Sequence, residues 1–546
     1  MYCGIKQLPS PHGASGYFRV EKSANNRWLF VDPLGNYFWL MSQYTETTSW
    51  FQTTPVNVLQ TKYGGNKTNW AIQQNSRLLS WNFNTIGEYA IDYVLPVNTN
   101  GFYNNANPVK LPFIVLMNAM VDMHNYPAML GIAEAPKSMI TGVPSNITVW
   151  RGSVMTDMFD PKVTAAYTNE VTLQNSGYLS RPAYYTNGLN TPWIVGITTD
   201  DTDYLFGLKN SGSDPVSPHP NTGYIAAVTK FDYTGIWSGT DMVLHSKYAW
   251  TCGQAGIDFG FGVGKGYLDS KYGTIAALNT AWGTTNFYTS FCDAGGYGVG
   301  TGVLDEDGRH LWVGTDAYNQ VGMSAGMLTD INQFAYWYAY HYAHTAVTAI
   351  RTVDTHHLIF GPASLGADGY EDRAQNLQGL SDGGIQVLCL SASHTAGFFT
   401  GLKATYDLIG KPAFLWYAVT ANADSALYPY VQAQPGVPDV ATQALRGARY
   451  TSDLNAFLGL QGTNGDYYMM GIDWWADSDT NPLEKANWGL ISDRDNAYDG
   501  IHDVDVSVPD GSYMTVPEDR NYGDVTTPVT ETNLGILQQL IGSTSP

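Results

Sequence analysis

The feature that most constrains this chain is a repeated order of short apolar runs, each followed by a stretch with helical spacing. Pro192-Trp-Ile-Val-Gly-Ile-Thr198 and Ala413-Phe-Leu-Trp-Tyr417 carry apolar side chains at successive positions, the pattern of strands buried on both faces. Counting from Tyr37, eight such strands are expected, at about 37–44, 83–87, 112–118, 193–199, 357–362, 385–391, 412–417 and 467–474. Helical spacing falls between them at 69–79, 161–173, 328–353, 399–409 and 442–458. Strand-then-helix order implies a parallel sheet, and eight repeats imply an α/β architecture, the closed (β/α)8 TIM barrel.

Ahead of the barrel, Arg27 to Leu40 contains two apolar runs broken by Asp32-Pro-Leu-Gly-Asn36, which predicts a hairpin. The expected organisation is an N-terminal β segment, 1–36, packed on a barrel over 37–546. That barrel includes a long insertion after the fourth strand, 207–323, and a closing segment, 476–546. In such a barrel the working groups sit at the C-terminal ends of the strands. This selects Gln43 to Glu46, Glu88, Asn118 to Asp122, Asp200 to Asp203, Glu371, His394, Tyr417 and Asp473 to Asp477.

Charge limits the partners. The chain has a net charge of -21 and only 14% charged residues, so no nucleic acid and no membrane surface is expected to bind, both of which require basic patches. The 37 Tyr and 16 Trp among 546 residues suit a secreted protein that stacks aromatic rings on sugars; a low-lysine extracellular or viral origin would give the same composition. The opening Met1-Tyr-Cys-Gly-Ile-Lys6 lacks a signal-peptide core. Cys3, Cys252, Cys292 and Cys389 have no C-x-x-C spacing, so a zinc site is not expected; no other metal and no cofactor is expected either. Cys252 and Cys292 flank one Gly-rich insertion and are candidates for a disulfide. Cys389 lies in an apolar run and reads as a buried thiol. Asp477-Ser-Asp479 and Asp305-Glu-Asp307 resemble oxygen-rich calcium loops, a weak pattern that surface carboxylates also produce.

Several segments together resemble the β-agarase-like and β-galactosidase-like clan A glycoside hydrolases. They are Trp28-Leu-Phe-Val-Asp-Pro-Leu-Gly-Asn-Tyr-Phe38, Leu79-Ser-Trp-Asn-Phe-Asn-Thr-Ile-Gly87, Lys271 to Gly283, Ala349 to Leu358, Asn487-Trp-Gly-Leu-Ile491 and Asn521 to Val529. The resemblance implies an extracellular enzyme acting on a polysaccharide or oligosaccharide through two glutamates, an acid/base after the fourth strand and a nucleophile ending the seventh. Here both positions differ. The fourth strand runs into Thr198-Thr-Asp-Asp-Thr-Asp203, which contains no Glu and offers Asp203, with Asp200 and Asp201 beside it. Five positions after Pro412, where the nucleophile is expected, stands Tyr417.

Three readings are open. Relocated carboxylates give a hydrolase, with Asp203 as proton donor and Tyr417 as nucleophile or sugar contact. Tyr417 with His394 as bases gives a lyase on a uronic-acid polymer. A barrel without chemistry gives a glycan-binding or structural protein. Under the first reading His394, Asp473, Glu88, Asn118 and Glu371 contact the sugar, and Trp474 or Trp475 stacks on it. The two tryptophans are adjacent in a strand and so face opposite ways, leaving one for the core. Trp416 is expected to point away from Tyr417 and to be structural. Nothing in the sequence speaks to oligomeric state.

Overall fold

The computed structural model describes residues 12–44, 57–88, 107–136, 157–172, 191–200, 248–284, 287–292, 302–304, 324–362, 365–366, 374–391, 398–418, 421–428, 440–475, 477–479, 487–496, 501–507 and 513–544. Eight parallel strands form the barrel: Leu40–Gln43, Thr85–Ile86, Phe113–Leu116, Ile194–Thr198, Leu358–Phe360, Leu388–Ser391, Ala413–Ala418 and Met469–Trp475. Each pairs with the next, and the eighth returns to the first through Gly471↔Leu40 to Trp474↔Gln43. The fifth and sixth join by the Phe360↔Val387 bridge. There the Gly361 amide donates to the Val387 carbonyl at 3.0 Å and the Gln386 amide to the Ile359 carbonyl at 3.0 Å. A two-residue strand, Leu365–Gly366, lies against the sixth. Every expected barrel strand is present.

The helices follow from capping as much as from periodicity. Asn66 caps Lys67–Ser80 by accepting from the Asn69 amide, Asp160 and Pro161 start Pro161–Glu170, and Thr442 starts Gln443–Leu458. Each cap satisfies an amide that the first helical turn leaves unpaired.

Strand alternation divides the apolar side chains into two cores. Leu40, Ile114, Val195, Phe360, Val387, Cys389, Phe414, Trp416, Met470 and Trp475 fill the lumen. Met41, Phe113, Val115, Ile197, Leu388, Leu415, Tyr417, Ile472 and Trp474 pack outward against the helices. At the N-terminal end a three-stranded antiparallel sheet, Arg19–Lys22, Trp28–Val31 and Tyr37–Phe38, closes the floor. In its turn Asp32 accepts from the Leu34 and Asn36 amides at 2.9 Å, and Gly35 takes φ 90°. Phe18, Phe30 and Phe38 enter the lumen core, with Phe30 against Phe360 at 6.0 Å.

From the insertion, a π-helical turn (Tyr248–Cys252) and two helices (Tyr267–Tyr272 and Ile275–Trp282) dock on the 27-residue helix Ala325–Arg351. Asp330 of that helix accepts from the Tyr272 hydroxyl and the Trp282 indole, both at 2.7 Å, and pairs with Lys271. Trp250, Tyr267 and Trp282 belong to the same outer core as the barrel helices. Cys252 is disulfide-bonded, and the strand Ser290–Cys292 packs on the turn that carries it. Cys389 is a buried thiol outside any disulfide. The chain ends in a hairpin, Ile501–Ser507 with Tyr513–Asp519, and a helix, Gly523–Thr544, that packs on Gln443–Leu458. No helix among the described residues is long and apolar enough to cross a membrane.

Candidate active site

Among the described residues, the lumen is apolar except near the C-terminal ends of strands one to four and eight. On strand eight, Ile472 and Trp474 face the helices, so Asp473 between them faces the lumen. Its register neighbours are Ser42 on strand one and Trp416 on strand seven. Room for its carboxyl comes from Gly87, where a β-carbon would lie 2.4 Å from Asp473 Oδ1. Glu88 follows, fully buried like Asp473, and its Oε1 accepts from the Thr198 hydroxyl at 2.7 Å.

Neither oxygen of Asp473 has a hydrogen bond of good geometry among the described residues; the polar neighbours that act on it are Ser42, the Glu88 carboxyl and the Glu88 backbone amide. Two buried carboxyls in contact cannot both ionise, so the pair holds a proton. Burial pushes Asp473 up to about 7, and Ser42 and Glu88 offset part of that rise. Asn118, ending strand three, sits at φ 58° with both side-chain amide atoms buried and unpartnered. Above Asp473, Trp475 stacks on Trp416 at 5.0 Å, meets Trp488 at 4.5 Å and meets Tyr44 edge-on at 6.1 Å. All four rings are at most 5% exposed. The arrangement is an acid pair with raised proton affinity beneath an aromatic cluster at the barrel mouth.

Several sequence expectations change. Tyr417 does not face the cleft. Its hydroxyl donates to Asp453 Oδ2 at 2.8 Å on the helix Gln443–Leu458, and its ring packs on Tyr450, Phe457 and Trp474 in the outer layer. Burial, then the Asp453 carboxylate, holds its phenol well above the ordinary range, so it is neither nucleophile nor base at neutral pH. Trp416, expected to be structural, is the residue that faces the lumen. Of the tryptophan pair, Trp475 is at the mouth and Trp474 is in the outer core. Asp200 also turns outward: Oδ2 accepts from Tyr167 at 2.6 Å and Tyr342 at 2.8 Å, and Oδ1 from the Met120 amide at 2.7 Å. It ties strand four to three helices.

Asp477 and Asp479 do not form a calcium loop. Gln43 donates to Asp477 at 3.0 Å, and Arg520 and Tyr522 hold Asp479. Among the described residues no group of three or more His, Cys, Asp or Glu is arranged to hold a metal ion. Asp201, Asp203, Glu371 and His394 lie outside the described residues, as do Asp305 to Asp307.

One consequence is directly testable. Tyr417→Phe loses one buried hydrogen bond, costing about 1 kcal/mol, and leaves any activity of the barrel unchanged. A denaturant midpoint and an activity assay on the same preparation check both halves. Lost activity at retained stability would return Tyr417 to the site.

No family model matches the chain, and comparison with curated proteins gives no match. Solved structures do match. One is described as an exo-β-agarase, with 16% identity and a TM-score of 0.59 over 98% of this chain and 67% of the other. Another, described as an agarase, has 14% identity and a TM-score of 0.60 over the same shares. At such identity the likeness is one of fold: this chain folds as the (β/α)8 barrel of the agarases.

Proposed function

We propose that this protein is an extracellular glycoside hydrolase-like barrel that processes a polysaccharide or oligosaccharide at the C-terminal mouth. The observation that carries this reading is the Glu88–Asp473 pair, an acid with raised proton affinity at the strand ends where barrel enzymes hold their chemistry. Glu88, at the end of strand two, donates the proton to the glycosidic oxygen, and Asp473 is the positioning residue that keeps a proton on the pair. Trp475, Trp416, Trp488 and Tyr44, each at most 5% exposed, wall the mouth beside the pair and shield it from water. The pair is too close to act as both carboxylates of a glycosidase, which stand roughly 5 Å or 6.5–9.5 Å apart. Asp203, or Asp201 beside it, following strand four in sequence, is the candidate for the second carboxylate. Agarase-like folds and the low-charge, aromatic-rich composition support an extracellular carbohydrate substrate.

A panel of neutral, sulfated and uronic-acid polysaccharides, scored by new reducing ends and by ultraviolet absorbance, tests the reaction class. Reducing ends without absorbance are expected; rising absorbance would mean elimination instead. With the substrate so found, Asp203→Asn abolishes cleavage while binding survives, and unchanged cleavage would remove Asp203 from the mechanism. A second reading, a glycan-binding or structural barrel without turnover, is favoured by the near-complete burial of the aromatic cluster, which closes the mouth beside the acid pair. It predicts saturable binding with no products from any member of the panel.

A further inference from the structure

Opposite the mouth, where the N-terminal sheet meets the start of strand eight, lies an open-sided cavity of about 580 Å³ lined by Ser23, Asn25, Asn26, Arg27, Gln461 and Tyr467, among others. Its backbone is fixed on every side. The Ser23 amide donates to the Arg27 carbonyl at 2.8 Å, the Asn26 amide to the Ser23 carbonyl at 3.0 Å, and the Arg27 amide to the Ser23 hydroxyl at 3.2 Å. The Tyr467 amide donates to the Asn26 carbonyl and the Trp28 amide to the Tyr467 carbonyl, both at 2.8 Å. The Arg27 guanidinium lies over the Tyr467 ring at 4.0 Å. Both the loop and the cation are therefore preorganised.

Among the described residues Arg27 has no carboxylate partner for its charge. Its Nη1 is buried without an acceptor. Asp466, adjacent to Tyr467 in sequence, is already committed to Lys22 at 2.5 Å, the Tyr406 hydroxyl at 2.6 Å and Asn464 at 2.8 Å. Burial lowers Arg27 to about 10, and only Tyr467 works against that fall. The chain carries 48 Asp and Glu against 27 Lys and Arg, yet the residues lining this cavity are one Arg with hydroxyls and amides and no carboxylate. A partly buried guanidinium without an anion is costly, and its planar fork matches a carboxylate or sulfate. The volume suits a small ligand and exceeds what one free ion needs.

We infer that this cavity is a binding site for a small molecule bearing an oxyanion, such as a sugar carboxylate or sulfate, held by Arg27 and the surrounding amides on the face of the barrel opposite its mouth. Isothermal titration of the full chain at low salt, with sulfate, with glucuronate and with glucose as the neutral control, tests it. The expected result is saturable binding of the oxyanions and none of glucose. Arg27→Gln then weakens binding roughly tenfold or more, and Arg27→Lys, which keeps the charge but loses the fork, falls between. Tighter binding of glucuronate assigns the ligand to a sugar acid, and tighter binding of sulfate to a sulfate group; either order upholds the site. Absence of saturable oxyanion binding overturns it, as does undiminished affinity in an Arg27→Gln protein that melts like the wild type. Should Arg27→Gln not fold, wild-type affinity in Arg27→Lys overturns the bidentate geometry on which the site rests.

Discussion

Gly471→Ala is expected to leave no folded barrel. A β-carbon there would lie 2.1 Å from the Leu40 carbonyl oxygen and 2.4 Å from the Leu40 β-carbon. The obstacle is backbone, so no rotamer change relieves it. Moving strand one away would break the Gly471↔Leu40 to Trp474↔Gln43 ladder that closes the barrel and would separate Ser42 from Asp473. Ordinary overpacking costs about 1–3 kcal/mol; forcing two strands apart exceeds that and consumes most of a domain's margin of about 5–15 kcal/mol. The expected observation is loss of the cooperative thermal transition. Gly535→Ala, in a helix with open space around it, is the control and should fold with slightly raised stability, since Ala is the better helix former. A Gly471→Ala protein melting within a few degrees of wild type would show that the strand contact is looser than described.

Asp479→Ala is expected to cost about 3–5 kcal/mol. Asp479 is wholly buried, and its Oδ2 accepts from the Tyr522 hydroxyl at 2.6 Å and from Arg520. Its Oδ1 accepts from the Gly489 amide at 2.8 Å. Arg520 is itself buried and, once Asp479 is gone, retains Glu518 at 2.7 Å as its carboxylate partner together with the Tyr522 hydroxyl. The cost is mainly that of a guanidinium left under-compensated in the interior. It is read as a lower urea midpoint at unchanged slope. Asp479→Asn, which keeps the shape and an acceptor for Gly489, should lose less. Equal losses would mean that packing rather than charge holds this corner.

How far the sequence could be read differs between scaffold and site. Strand positions were legible because apolar runs bounded by turn residues are hard to place elsewhere, and helix starts because Asn66, Asp160 and Thr442 are good caps. Facing was not. Ala413 to Ala418 is apolar on both sides, so no alternation tells lumen from helix layer, and Tyr417 and Trp416 were assigned opposite to their positions. The signal lay across strands, in the register that sets Trp416 beside Asp473 and Ser42. Glu88 and Asp473 were selected by the strand-end rule, but 385 positions separate them and nothing local announces that their carboxyls meet. Gly87 was the one clue, a residue without a side chain immediately before a buried acid.

The raised Asp473 also shapes stability. The folded pair keeps a proton that the unfolded carboxyl, with an ordinary value of about 3.9, has released. This contribution is therefore most favourable at low pH and is lost as pH rises from about 4 toward 7. Asp473→Asn removes that slope.

The central claim, that the Glu88–Asp473 pair supplies the working proton, is tested most directly by the pH profile of polysaccharide cleavage in wild type and in Asp473→Asn. The account predicts wild-type cleavage that falls as pH rises through about 7, and a variant in which that alkaline limb is displaced and the rate is cut by roughly a hundredfold. An alkaline limb that stays in place at full rate in Asp473→Asn would contradict it.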